Sequence, residues 1–155
     1  MLAEFFIEEQ SCEDITKFVY EEKVYWSKDL KNVKSLTSGY NPDYEFLHDI
    51  GTFCSNNILP EITKIHSWKK SWWWINFYEK GHYTAPHIHK PEEYSMIVIV
   101  KPSINNCLNF KIKGKKHKIK EQQGLCLIFN SDIEHWVDPV KSERITIAMD
   151  FVKNQ

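Results

Sequence analysis

Short apolar runs separated by turn residues fill the second half of the sequence, and this pattern restricts the fold more than any other feature. Val, Ile and aromatic residues favour strands, while Gly81, Pro102 and Gly114 mark turns. Many short strands with no helix between them predict a mainly β barrel or jelly roll. The five runs are WWWINFY at 72–78, YSMIVIV at 94–100, CLNFKI at 107–112, GLCLIF at 124–129 and RITIAMDF at 144–151.

The N-terminal part of the chain has a different pattern. Apolar residues recur at helical spacing around 15–19 and again after the NPD motif at 41–43. A chain of 155 residues is the size of one compact domain with a real core. We therefore predict a single domain over 1–155, in which a helical part at 1–66 packs against a jelly-roll core at 67–155.

Composition and charge argue against several classes of protein. A hydrophobic content of 42% disfavours disorder, and a formal net charge of −1 disfavours a nucleic-acid partner or an anionic membrane surface. No apolar run approaches the roughly 20 residues that span a bilayer, and the N-terminus lacks the pattern of a signal peptide. The four cysteines are widely spread, so no disulfide framework is implied. We expect a cytoplasmic protein without a membrane partner.

Histidines supply the first indication of chemistry. In GHYTAPHIHKPEEY, at 81–94, His87 and His89 are two residues apart, which places both side chains on one face of a strand. With seven histidines in 155 residues, chance alone supplies roughly 0.3 such pairs, so the pair needs support from elsewhere in the chain. His135 provides this support, because that residue follows a strand and a polar turn. Three such imidazoles would occupy adjacent positions around a metal and leave the others open.

An arginine indicates what could bind beside that metal. Arg144 opens the last apolar run, and Thr146 shares its face of the strand. An arginine that faces a barrel interior is costly unless it meets an anion. Because a planar guanidinium binds a carboxylate through two hydrogen bonds, the position favours an acidic cosubstrate.

Two stretches, WINFYEKGHYTAPHIHKPEEYS and GLCLIFNSDIEHWVDPVKSERITIAMDF, resemble the 2-oxoglutarate/Fe(II)-dependent oxygenase family common in phages and marine bacteria. That family shows W-x-N, Gly, H-x-H and Ser, then Gly, Ser, His and an Arg that opens the last strand. The resemblance covers roughly residues 70 to 151, about half of the chain. The matching residues are Trp74, Asn76, Gly81, His87, His89, Ser95, Gly124, Ser131, His135 and Arg144.

The resemblance implies a double-stranded β-helix, also called a jelly roll, that hydroxylates a C–H bond and releases succinate and CO₂. It implies Fe(II) bound by three histidines, His87, His89 and His135. It also implies 2-oxoglutarate bound by polar groups of the barrel, Arg144, Thr146 and Asn76. The substrate is left open between a small molecule and a peptide, and a homodimer stays possible.

The sequence departs from this family in two places. Most 2-oxoglutarate oxygenases have H-x-D, so His89 stands where a carboxylate is usual, and three neutral imidazoles leave the metal site one unit more positive. After Ser95 the family has Gly and aromatic residues, whereas this chain has MIVIV. This run lacks a tyrosine that could contact the cosubstrate.

Two alternatives remain open. The cupin signature G-x5-H-x-H-x3-E fits Gly81, His87, His89 and Glu93, and it would make Glu93 the carboxylate ligand of a metalloenzyme that does not use 2-oxoglutarate. The chain could also be a non-catalytic barrel that serves as a binding module.

Overall fold

The computed structural model describes residues 3–30 and 33–155. This part of the chain contains three α-helices, α1 (Glu9–Glu22), α2 (Glu45–Phe53) and α3 (Leu59–Thr63). A 3₁₀ turn, Lys23–Tyr25, follows α1, and a π-helical turn, Cys54–Ile58, joins α2 to α3. The strands are β1 (Ala3–Phe6), β2 (Ser27–Leu30), β3 (Val33–Thr37), β4 (Trp68–Tyr78), β5 (Tyr83–His87), β6 (Tyr94–Lys101), β7 (Leu108–Ile112), β8 (Lys115–Lys118), β9 (Leu125–Asn130), β10 (His135–Val137) and β11 (Arg144–Lys153).

These strands form one antiparallel sheet in the order β1-β9-β6-β11-β4-β3-β5-β10-β7-β8, and β2 pairs with β3. Side chains of strands that are far apart in this order share one apolar cluster, which shows that the sheet curls over on itself. Ile99 of β6 and Tyr78 of β4 pack there with Phe110 of β7 and Val137 of β10. The fold is the expected double-stranded β-helix, with this cluster between its two layers.

A second apolar cluster lies on the other face of the sheet, beneath the helices. Val19 of α1 and Leu47 of α2 pack there with Ile75 of β4 and Ile147 of β11. The central strands are therefore covered on both faces, and the first eight residues of β11 are all buried. This burial explains why a strand such as β6 reads as a nearly continuous apolar run.

The five strand-like runs of the sequence are confirmed as β4, β6, β7, β9 and β11. The two expected helices correspond to α1 and α2. The part predicted as helical also contains β1, β2 and β3, which the sequence did not reveal. β1 has only four residues and pairs with Leu125–Ile128 of β9, so it depends on a partner far along the chain. Among the described residues, no helix is long and apolar enough to cross a membrane.

Gly124 provides a test of this packing. Its φ angle is +86°, and a Cβ atom there would lie 2.6 Å from the backbone oxygen of Ile7. Gly114, in the turn between β7 and β8, has φ +76° but no atom within 4 Å of its Cβ position. We expect Gly124→Ala to lower the free energy of unfolding by about 2–5 kcal/mol, from backbone strain plus overpacking. Gly114→Ala should cost about 1–2 kcal/mol, from strain alone.

Urea unfolding followed by circular dichroism measures both values. Equal losses for the two variants would show that the close approach of Ile7 to Gly124 is not a constraint on the fold.

Candidate metal centre and adjoining pockets

Three histidines meet between the two layers of the sheet. His87 ends β5 and His135 begins β10, and the pairing of these strands sets the two residues opposite each other. His89 lies two residues past the end of β5, where its backbone N–H donates to Ser131 O at 2.8 Å. The ligand atoms of the three side chains all lie within 4.8 Å of one another. The pair was expected on one strand, but β5 ends at His87 and a loop carries His89.

Hydrogen bonds define which ring nitrogen of each histidine is free. Carbonyl and carboxylate oxygens only accept hydrogen bonds, so each Nδ1 must carry the hydrogen, and in a neutral ring Nε2 keeps its lone pair. The Nδ1 partners are Ala85 O, at 2.8 Å from His87, Ile133 O, at 2.9 Å from His135, and Asp150 Oδ1 and Oδ2, at 2.9 and 3.0 Å from His89.

The free nitrogens are arranged as metal ligands. His87 Nε2 and His89 Nε2 lie 2.9 Å apart, a distance at which a proton or a metal ion must lie between the two nitrogens. Neighbouring ligands at about 2.1 Å from an octahedral metal are about 3 Å apart. Burial lowers the pKa of His87, and burial together with the neighbouring imidazoles lowers the pKa of His135 well below its usual value. Both rings are therefore neutral at neutral pH, as metal binding requires.

Glu93 does not belong to this cluster. Its carboxylate lies 3.4 Å from Lys153 Nζ, with both side chains well exposed. Among the described residues, the group of possible metal ligands consists of the three histidines alone. The ligand role that the cupin signature assigns to Glu93 is therefore wrong for this chain.

An inner pocket extends from the histidines into the space between the sheet layers. Its wall includes the three residues expected near a cosubstrate, Asn76, Arg144 and Thr146. The pocket as it stands has about 40 Å³ of free space. The remaining wall is mainly apolar, with Leu108, Phe129 and Val137 among its members.

Arg144 lies in this pocket with only 1% of its surface exposed. Its Nε donates to Glu121 Oε1 at 2.8 Å, and Nη2 lies 2.6 Å from the same oxygen. Neither Nη1 nor Nη2 has a partner in hydrogen-bonding geometry among the described residues, since the short Nη2 contact is poorly aligned. Glu121 thus holds one edge of the guanidinium, and the other N–H groups can still receive an anion.

A tyrosine that sequence reasoning missed lies beside this arginine. Tyr78 is 2% exposed, its ring centroid is 5.1 Å from the Arg144 guanidinium carbon, and its hydroxyl is 2.7 Å from Thr84 Oγ1. Burial raises the pKa of Tyr78, which keeps the phenol protonated as a donor. The sequence contained the signal, because Asn76 and Tyr78 are two residues apart on β4 and face the same pocket.

Asp150 and Glu121 were also missed. Asp150 falls on the β11 face already occupied by Arg144 and Thr146, so extending the same alternation would have found it. Glu121 follows the lysine-rich hairpin in a segment without regular structure, and no sequence pattern connects it to Arg144.

An outer cleft of about 350 Å³ adjoins the inner pocket, and His87 and His89 line both spaces. Trp74 stacks against His89 with ring centroids 5.7 Å apart. Tyr40 makes edge contacts with Trp72 and Trp74 at centroid distances of 5.2 and 5.3 Å. Tyr40 and Trp72 are exposed large aromatic side chains, which typically mark a binding surface.

Comparisons with known proteins identify the fold. No protein-family model and no curated protein matches the sequence. A Pseudomonas putida prolyl-4-hydroxylase superposes with a TM-score of 0.82 at 11% identity, covering 99% of this chain and 92% of that one. A viral collagen prolyl hydroxylase from Paramecium Bursaria Chlorella virus-1, in a 2-oxoglutarate complex, gives 0.74 at 15% identity, covering 96% and 94%. A Trichoplax adhaerens prolyl hydroxylase in complex with a hypoxia-inducible-factor peptide fragment gives 0.73 at 13%, covering 99% and 84%.

The geometry predicts which histidines are needed for metal uptake. We expect His87→Ala, His89→Ala and His135→Ala each to abolish tight binding of Fe(II) or Co(II) and to leave the fold intact, because each removes one converging nitrogen. His117→Ala, an exposed histidine on β8, is the matched control, and Glu93→Gln should also bind metal normally.

Anaerobic titration calorimetry measures the affinities, and circular dichroism checks the fold. If Glu93→Gln loses metal and His89→Ala keeps it, the three histidines are not the ligand set.

Proposed function

We propose that this chain is an Fe(II)- and 2-oxoglutarate-dependent dioxygenase that hydroxylates an unidentified substrate and releases succinate and CO₂. The observation that carries the proposal is the layout of the inner pocket. Imidazole nitrogens with free lone pairs converge on one part of its wall, and a buried guanidinium with unpartnered N–H groups lies in the same wall. The fold shared with prolyl hydroxylases supports it.

The metal would be held by His87, His89 and His135, which suit ferrous iron among other divalent metals. When bound, Fe(II) would supply the redox chemistry that activates dioxygen for the oxidation of 2-oxoglutarate and substrate. The protein's own contribution is to present three neutral imidazoles from one direction, so that the opposite positions stay free. The apolar side chains of Phe129 and Val137 keep water away from that space.

Arg144 would receive the distal carboxylate of 2-oxoglutarate. Its unpartnered N–H groups offer hydrogen bonds, and Glu121 fixes the guanidinium by holding Nε. Thr146 and Tyr78 line the same pocket and can donate through their hydroxyls, so Tyr78 could provide the tyrosine contact that MIVIV lacks. Because the pocket has little free space, binding of an extended diacid requires lining side chains to change rotamer.

The substrate would enter from the outer cleft, which reaches the open side of the histidines. The size of the cleft and its exposed wall suit a side chain of a peptide or a small molecule with an apolar or aromatic part. One of the structural neighbours is in complex with a peptide fragment, which supports a peptide as the substrate of this chain. The cytoplasmic location and the homodimer stay predictions of the sequence.

Two alternatives lead to different outcomes in one experiment. Anaerobic titration with Fe(II) and then 2-oxoglutarate should give a visible metal-to-ligand charge-transfer band. Metal uptake without that band would favour a metalloenzyme that does not use 2-oxoglutarate. No metal uptake by the folded protein would favour a non-catalytic module.

The role of Arg144 can be tested with a charge-balanced variant. Arg144→Leu alone would leave Glu121 buried and unpaired, a change that costs about 3–5 kcal/mol of stability. The double variant Arg144→Leu/Glu121→Gln avoids that cost. We expect it to bind 2-oxoglutarate at least roughly 30-fold more weakly, because a buried guanidinium–carboxylate contact is worth about 2–5 kcal/mol.

Metal affinity should change little in the double variant, and Glu121→Gln alone is its matched control. Both affinities come from anaerobic titration. If the double variant binds 2-oxoglutarate as well as the parent does, Arg144 is not the anchor and the reaction does not use this pocket for a diacid.

The cleft predicts the location of the substrate. In a screen of peptides and small molecules for succinate formation, we expect Trp72→Ala to raise KM for an active compound about 30-fold or more, because an aromatic anchor in a cleft contributes upwards of about 2 kcal/mol. The dissociation constant of 2-oxoglutarate should not change. Trp136→Ala, a partly exposed tryptophan outside both pockets, is the control. An unchanged KM in Trp72→Ala would place the substrate elsewhere.

A further inference from the structure

A buried carboxylate lies directly behind one of the three histidines. Asp150 is 4% exposed, and both of its oxygens accept from His89 Nδ1, at 2.9 and 3.0 Å. Ser95 Oγ donates to Oδ1 of the same carboxylate at 2.7 Å. Asp150 is thus connected to the metal centre through the ring of His89.

The same network also holds the backbone of His89. Ser95 uses its hydrogen on Asp150, so Ser131 is the donor in the 2.9 Å contact between the two serine hydroxyls. The carbonyl of Ser131 accepts the backbone N–H of His89 at 2.8 Å. The loop that carries His89 is therefore fixed at its main chain and at its ring by one chain of hydrogen bonds.

Among the described residues, no lysine or arginine balances the charge of Asp150. In the described part of the chain, no lysine or arginine lies within 4 Å of its carboxylate, and its ion-pair partner is the His89 ring. A buried charge is retained at low cost only where an opposite charge lies nearby. A cation bound to His89 Nε2, on the far side of the ring, would supply that charge.

We propose that Asp150 is a positioning residue that completes the metal centre through His89. It holds the ring of His89 with Nε2 directed at the metal. Through this ring it also supplies the negative charge that a carboxylate ligand would supply directly. A carboxylate that accepts the Nδ1 hydrogen makes an imidazole a stronger donor at Nε2. The three-histidine centre thereby recovers the electrostatic character of a site with two histidines and one carboxylate.

This inference rests on the proposed metal site, and Asp150→Asn tests it. Asparagine keeps the shape and can still accept a hydrogen bond, but it removes the charge. We expect the affinity for Fe(II) or Co(II) to fall about 10–100-fold, the usual effect of losing such a partner of a ligand. With Fe(II) and 2-oxoglutarate bound, the charge-transfer band should move to shorter wavelength, because a weaker imidazole donor leaves the metal less electron-rich.

Stability of the metal-free protein separates charge from structure. Asp150→Asn removes a buried charge, so the urea midpoint of the metal-free protein should stay the same or rise while metal affinity falls. Asp138→Asn, which removes a carboxylate bonded to Asn109 and Lys118 outside the pockets, is the matched control and should leave metal affinity unchanged. Ser95→Ala, which removes one hydrogen bond to Asp150, should lower metal affinity by a smaller factor.

Each result has a definite reading. If Asp150→Asn binds metal as tightly as the parent, the inference is overturned and the proposed function stands. If it loses both the folded state and the metal, and Ser95→Ala keeps the affinity of the parent, Asp150 serves the fold and not the metal. If the parent protein binds no Fe(II) or Co(II), the proposed function and this inference fail together.

Discussion

The pairing of β11 with β4 is the constraint on which the rest of the structure depends. Its register sets Arg144 opposite Tyr78 and Thr146 opposite Asn76, so these polar side chains of the two strands share one face. That face looks into the space between the sheet layers, where the ends of β5 and β10 deliver two of the histidines. A shift of this register by one residue would turn Arg144 toward the apolar cluster beneath the helices.

Two buried charges show how the site is balanced. Arg144 is neutralised by Glu121, and the carboxylate of Asp150 is bonded to the ring of His89. In the first pair, N–H groups of the guanidinium still have no hydrogen-bond partner. In the second pair, a negative charge lies behind the imidazole of His89. An anion would bind the free N–H groups of Arg144, and a cation between the histidines would balance the charge of Asp150. These are the charges of a diacid cosubstrate and a metal ion.

The structural neighbours share a backbone and very little sequence. At 11–15% identity they establish the double-stranded β-helix and leave the chemistry to be argued from the residues of this chain. The site of this chain differs in character from one with a carboxylate ligand. Its carboxylate, Asp150, comes from the last strand and acts through His89. The inner pocket and the outer cleft adjoin each other and share His87 and His89, so cosubstrate and substrate would reach the metal from neighbouring spaces.

The sequence by itself determined the strands formed by the five apolar runs, and it pointed to the histidines and the arginine that the fold brings into one pocket. Those features follow from local composition, alternation and spacing, which are visible without a partner. Only the tertiary structure decided that β1 forms, that Glu93 faces Lys153, and which groups neutralise the buried charges. Glu121 lies 23 positions from Arg144, and Asp150 lies 61 from His89. The physical reason is that a short strand and a buried ion pair are stabilised by residues distant in the chain. The local sequence pattern does not indicate which distant residue will lie beside them in the folded protein.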